Sequence, residues 1–262
     1  MKKILFATTA LVATASVAAA DVSFGGFAYA GITDNGTTVD AQQSVRLWLN
    51  ASVETDGGLT FSAYQRVVNP NTYGYVKVAS GGASLTAGST HGAIRKLARV
   101  AGFHGYNNGG IGYFDNAPGS LTHNDGGQNL YAAYTTGGLT LGLSADASET
   151  GRETEYGVSY TMNNITVGAA ASSNDFWAAK VAATVGGVSI ALGVNDLETT
   201  SLTASTSVGA ATTVAFGMMD ETAGSTYGVQ LSHDLGGVSL IANAQTDEAD
   251  VTTAGLGVMF NF

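Results

Sequence analysis

Val45-Arg46-Leu47-Trp48-Leu49-Asn50-Ala51-Ser52-Val53-Glu54, then Thr55-Asp56-Gly57-Gly58, then Leu59-Thr60-Phe61-Ser62-Ala63-Tyr64-Gln65-Arg66-Val67, is the stretch on which the fold turns. In its first half Val45, Leu47, Leu49, Ala51 and Val53 share one parity, and Arg46, Trp48, Asn50, Ser52 and Glu54 take the other. Side chains alternate between the two faces of a strand, so this run is a strand with one apolar and one polar face. Gly57-Gly58 offers the positive φ that a tight hairpin turn requires. Beyond it Leu59, Phe61, Ala63 and Val67 oppose Thr60, Ser62, Tyr64 and Arg66, so the apolar face continues through the turn.

The same unit recurs along the chain. Turn pairs stand at Gly81-Gly82, Gly137-Gly138, Asn163-Asn164, Gly186-Gly187, Gly209-Ala210 and Gly236-Gly237. Counted from Gly57, the intervals are 24, 56, 26, 23, 23 and 27 residues, and one is about twice the others. An interval of about 25 residues holds two strands of roughly 10 residues with one short and one longer connection. After most turns an apolar residue precedes Thr or Ser, as in Ala83-Ser84, Leu139-Thr140, Ile165-Thr166, Val188-Ser189 and Val238-Ser239. Each turn therefore sits in the same place relative to the two faces. The alternation predicts strands near 22–32, 43–55, 59–68, 72–80, 83–89, 128–136, 139–147, 153–162, 165–172, 175–185, 188–195, 200–208, 212–219, 225–235, 238–246 and 252–262. That is sixteen strands, an even number, with seven short turns on one side.

Composition bounds the class. Met1 to Ala20 carries Lys2-Lys3, an apolar run from Ile4 and Ala18-Ala19-Ala20 before Asp21, the layout of a secretory signal peptide. The expected mature domain is therefore 21–262. An exported chain with no Cys cannot use disulfides. No apolar run after residue 20 approaches the ~20 residues of a spanning helix, so a membrane protein of this sequence must be a barrel. Pro70 and Pro118, the 2 prolines, fall between predicted strands, as unbroken ladders demand. Alternation alone does not separate a soluble sandwich from a barrel. The export signal, the even strand count and the ending Gly255-Leu256-Gly257-Val258-Met259-Phe260-Asn261-Phe262 favour an all-β, transmembrane antiparallel barrel with a water-filled interior.

The mature start Asp21-Val22-Ser23-Phe24-Gly25-Gly26-Phe27-Ala28-Tyr29-Ala30-Gly31-Ile32 and the terminal Phe262, with Phe260 and Val258 on its parity, resemble those of the Gram-negative general diffusion porins, in particular the alphaproteobacterial sixteen-stranded type. The resemblance implies an outer-membrane homotrimer and an assembly signal at Phe260 and Phe262 read by the outer-membrane assembly machinery. It also implies a constriction loop at about 90–127, where the long interval falls. The implied partners are outer-membrane lipid, small hydrophilic solutes and ions; nucleic acid is not among them.

Within that loop His91, Arg95, Lys96 and Arg99 surround Ala93, Ile94, Leu97, Ala98 and Val100, which suits a short amphipathic helical turn with its apolar side against the wall. From Thr90 to Gly127 there are three Lys or Arg, two Asp (Asp115 and Asp125) and three His. The loop is slightly basic, whereas the family usually sets an acidic loop against a basic wall. The expected pore-shaping residues are Arg46, Arg66, Lys77, Arg95, Lys96 and Arg99, with Asp115 as the acidic counterpart and Lys180 as a further inward cation. Without Lys2 and Lys3 the chain holds 8 Lys or Arg against 20 Asp or Glu, net −12, much of the acid lying in expected outer loops. The sign of ion selectivity stays open on these grounds.

Tyr134, Tyr160 and Phe260, and farther up Tyr156, Trp177 and Tyr227, suit two interfacial girdles. No cofactor is expected, although acidic outer loops leave bound calcium as an alternative. His91, His104, His123 and His233 fall in no nucleophile or metal-ligand pattern, which disfavours an enzyme. Two alternatives remain: a secreted β-rich adhesin, and a channel selective for a sugar or an anion. The latter would use Trp48, Tyr64, Tyr73, Tyr75 and Tyr131 as an inward stacking track.

Overall fold

A computed structural model describes residues 20–68, 71–100, 128–147 and 153–262. The first strands are β1 (Asp21–Asp34), β2 (Val39–Glu54), β3 (Thr60–Val68), β4 (Asn71–Ser80) and β5 (Ala83–Thr90), followed by a helix, α1 (Ala93–Leu97). Next come β6 (Gln128–Thr136), β7 (Leu139–Ala145), β8 (Glu155–Met162), β9 (Ile165–Ser172), β10 (Trp177–Val185) and β11 (Val188–Asn195). The last are β12 (Thr200–Val208), β13 (Thr212–Glu221), β14 (Gly224–Asp234), β15 (Val238–Thr246) and β16 (Thr252–Asn261). Every strand pairs antiparallel with its sequence neighbours, and β1 pairs β16, so the sixteen strands form a closed barrel without edges. Ala28 opposite Phe260 and Ala30 opposite Val258 set the closing register. At the foot of this seam Gly26 N–H donates to Phe262 O at 2.8 Å and Phe262 N–H to Gly26 O at 3.0 Å, with the Phe262 ring lying over Gly26.

The repeated turn signal has a local cause. Gly81 and Gly82 lie at φ 55° and 88°, and Gly186 and Gly187 at 60° and 83°, the left-handed pairs of a hairpin whose twist matches its strands. Asn163 takes the same region at φ 55°. At three of these turns the Thr or Ser that follows also has a partner. Thr135 and Thr140 are hydrogen-bonded at 3.1 Å, Thr161 and Thr166 at 2.9 Å, and Thr184 and Ser189 at 3.1 Å, each pair crossing its hairpin on the inner face.

The apolar parity faces outward and is exposed: Phe24 is 80% exposed, Val76 60% and Tyr156 54%. A contiguous apolar exterior of this kind belongs in lipid. Tyr134, Tyr160 and Phe260 near the short turns, and Tyr156, Trp177 and Tyr227 nearer the opposite rim, all lie exposed on it. The fold has little conventional core. Its buried apolar side chains gather where α1 meets the inner wall, as Ile94, Ala98, Ala170, Phe176 and Ala178 do, and where Tyr29 meets Ile241 inside β1 and β15.

Candidate pore constriction

The loop leaves the wall at a bulge. Ala87 pairs with Leu130 but Thr90 pairs with Gln128, so β5 carries one residue more than β6 between those points. Gly88 takes φ 117° there, and a Cβ on it would meet the Gly74 carbonyl and Tyr75. Only glycine fits that conformation at that spacing. The chain then turns from the ladder into α1, where Ala93, Ile94 and Leu97 are buried, as are Ala98 and Val100 just after it.

Small inward residues make the bed. Gly142 faces Leu97 and the Tyr131 ring, and Gly168 lies under the Leu97 carbonyl; a Cβ at either would collide with those groups. Ala170 and Ala178 complete the surface against Ile94 and Ala98. Gly142 and Gly168 are each the fourth residue of their strand, β7 and β9, so the helix lies within the barrel, on its inner wall.

The wall also caps the helix. The N-cap residue, Gly92, offers no side chain, and the exposed N–H groups of a first helical turn need acceptors. Ala93 N–H donates to Ser144 Oγ at 2.9 Å, and Ile94 N–H donates to Glu155 Oε2 at 2.9 Å. Ser144 Oγ in turn donates to Glu155 Oε2 at 3.4 Å, and both side chains are buried. A side chain at Gly92 would strike the Glu155 carboxylate, so glycine is what lets the two surfaces close. Sequence reasoning gives Ser144 and Glu155 only as polar-parity residues. Their signal is the lone carboxylate at the outer end of β8, facing a wall where Gly142 and Gly168 replace bulk.

Three of the inward cations lie over aromatic rings. The Arg46 guanidinium lies 5.0 Å over the Phe27 ring, that of Arg66 4.9 Å over Tyr73, and the Lys96 ammonium 4.8 Å over Tyr131. Arg46 stands opposite Phe27 in the β1–β2 register and Arg66 opposite Tyr73 in that of β3 and β4, so pairing across the ladder builds each contact. Burial first, and then the charge of Lys77, hold the Lys96 ammonium below the ordinary lysine range. Arg99 and Lys180 share a cavity and repel each other as like charges. The structure thus brings Lys77 to Lys96 and Arg99 to Lys180, and sets Arg46 and Arg66 on the adjoining strands β2 and β3. Arg95 lies in the last turn of α1. Asp115 falls outside the described residues.

Of the inward aromatic track, Tyr64 and Tyr75 stack on each other at 5.2 Å, while Tyr73 and Tyr131 carry Arg66 and Lys96. One face of Tyr73 and one of Tyr131 thus carry a cation, Tyr64 and Tyr75 cover each other, and Trp48 packs at 6.3 Å against Phe27, so the five rings are engaged in separate contacts instead of forming one continuous stacking track. Among the described residues no three His, Asp or Glu side chains converge in a group able to hold a metal ion.

Comparison with known structures agrees with this architecture. Three mutant forms of the Rhodopseudomonas blastica porin match at TM-scores of 0.66, 0.67 and 0.65 and identities of 22%, 21% and 21%. Each alignment covers 92% of this chain and 100% of the other. A search of curated proteins returns no match. The profile of the Gram-negative porins matches residues 7–262, nearly the whole sequence. With a closed sixteen-stranded barrel, an apolar exterior and a helix docked inside, the chain belongs to the Gram-negative porin family and is an outer-membrane channel.

Proposed function

We propose that small hydrophilic solutes and ions cross this barrel by passive diffusion, and that the passage beside α1 favours anions. No bond is made and no cofactor takes part. The observation that carries the preference is the gathering of Lys77, Lys96, Arg99 and Lys180 around the loop, with Arg46 and Arg66 beside them. The inward positions of β3, β4 and β9 to β12 carry no carboxylate. Glu155, the acid that α1 meets, is buried in the latch that it and Ser144 form with the N–H groups of Ala93 and Ile94. Fixed charge in a narrow, low-dielectric passage outweighs charge at wide, solvated mouths, so the local cations count for more than the net −10 of the whole sequence. The test is single-channel conductance under a salt gradient: a reversal potential of the anion-selective sign supports the preference, and a cation-selective sign refutes it. Shortening residues 92–120 raises conductance if the loop narrows the channel; unchanged conductance removes that role.

We further propose that three copies assemble through the β1–β5 face. Gln65 is an outward amide in mid-strand whose Nε2 donates to Tyr73 O at 3.0 Å. It stands beside a shallow outer recess formed with Leu49, Ala63, Gly74 and Ala87. An amide facing lipid at that depth is costly, and small neighbours suit close approach of another subunit. Ala28 and Ala30 extend the small-residue surface on β1, whereas Gly26, which the sequence groups with them, is covered by the Phe262 ring. Export by residues 1–20 and recognition of Phe260 and Phe262 by the assembly machinery belong to the same reading.

A further inference from the structure

We propose that the cavity between α1 and the short-turn rim, on the inner face of β9 to β13, is a binding subsite for small oxyanions of the phosphate or carboxylate type. The proposal rests on the diffusion reading above and adds a point of residence to the path. The cavity has a volume of about 440 Å³, and Arg99 and Lys180 both line it. Its remaining polar surface includes the hydroxyls of Thr166, Thr184, Ser189 and Ser205. Among the described residues that line it there is no carboxylate and no aromatic ring. The first absence disfavours a cation, and the second removes the stacking face that a sugar would use.

The donors are arranged for an anion. Lys180 stands opposite Gly168 in the β9–β10 register, its Cε over the space that a Gly168 Cβ would take, and it has no carboxylate partner among the described residues. Arg99 reaches the same space from the chain just after α1. Two like charges held together repel, and an anion between them relieves that repulsion while accepting hydrogen bonds from both. Thr184 and Ser189 are bonded to each other at 3.1 Å. One hydroxyl of such a pair spends its proton on the other, which keeps its own proton to donate. The result is a mixed ammonium, guanidinium and hydroxyl lining, better matched to a multidentate oxyanion than to chloride.

The test is the chloride current of the purified mature chain in a planar bilayer, with inorganic phosphate added to one side at a time at constant ionic strength. Each variant's own current without phosphate is the reference. Phosphate is expected to reduce the wild-type current saturably, and at lower concentration from the short-turn side, where the cavity is met before α1. Lys180→Gln is expected to raise the half-blocking concentration about tenfold, the scale of one charged hydrogen bond. Lys180→Arg keeps the block, and the double change Thr184→Val with Ser189→Ala weakens it without touching a charge. An open channel whose current phosphate leaves unchanged overturns the subsite alone, as does equal block of wild type and Lys180→Gln. A chain that opens no channel in KCl alone overturns the diffusion reading and the subsite with it.

Discussion

Ile94, in the loop helix, donates its backbone N–H to the buried carboxylate of Glu155, on the barrel wall, across 61 residues of sequence at 2.9 Å. Removing the acceptor leaves a buried donor unmatched, a cost of about 1–3 kcal/mol. Glu155→Ala is therefore expected to loosen α1 while the barrel remains folded, seen as higher and noisier single-channel conductance. Glu155→Gln keeps an acceptor oxygen and is expected to stay near wild type. Wild-type current from the alanine variant would remove the latch.

Gly168 lies directly beneath the Leu97 carbonyl, with no space for a Cβ. Gly168→Val is expected to lift the helix off the wall rather than break the strand, because valine suits a sheet. Protection of the loop from protease should fall while the heat-modifiable barrel band persists. Unaltered protection would place the tolerance in the helix.

Lys96 is held below the ordinary lysine range by burial and by Lys77. A lysine whose pKa falls on folding is disfavoured as the charged form, so its cost to stability is full at neutral pH. That cost is relieved as pH rises toward the unfolded value of about 10.4. The same group gives up its charge at lower pH than an exposed lysine. Reversal potentials measured from pH 7 to about pH 10 should show anion preference declining, with the early part of the decline absent in Lys96→Met. A wild-type profile flat over that range would contradict the assignment.

The Phe262 ring covers Gly26 at the closing seam. A Cβ at Gly26 would meet the Arg46 carbonyl oxygen as well as the ring, so Gly26→Val strains the β1–β2 ladder and the seam together and is expected to cost about 1–3 kcal/mol, as overpacking does. A lower melting temperature of the folded barrel in detergent would register it, and an unshifted one would show that the seam yields to the added side chain.

Gln65→Leu separates two surroundings by sign. Against lipid the change removes an exposed amide and stabilises the single barrel; against another subunit it weakens assembly. Mass measurement in detergent should find fewer trimers for the variant. An undiminished trimer population would move the interface away from Gln65.

The barrel was legible because two signals of different range agree. Period-two alternation marks each strand, and Gly-Gly, Asn-Asn or Gly-Ala marks each short turn, so errors stay at the ends: the strand predicted at 43–55 runs Val39–Glu54, and that at 22–32 runs Asp21–Asp34. The loop helix was legible for the same reason, its apolar spacing at Ala93, Ile94 and Leu97 being local. Glu155 was not, because its meaning lies in a contact with Ile94, and an inward acid on a barrel strand looks the same whether solvated or latched. The pairing of Arg99 with Lys180 is likewise a product of where the loop lands. No periodicity within either segment encodes it.

The bulge at Gly88 separates the direction of the loop from its content. The turn inward is fixed by one extra residue in a hydrogen-bonded ladder, and the landing point by Ser144, Glu155 and the small residues of β7 to β10. Both of these anchors precede Val100 and the chain rejoins the ladder at Gln128, so residues 101–127 can change in charge and length without altering either. For an evolving or engineered pore, it is a cassette: permeability can be rewritten there without asking the barrel to fold differently.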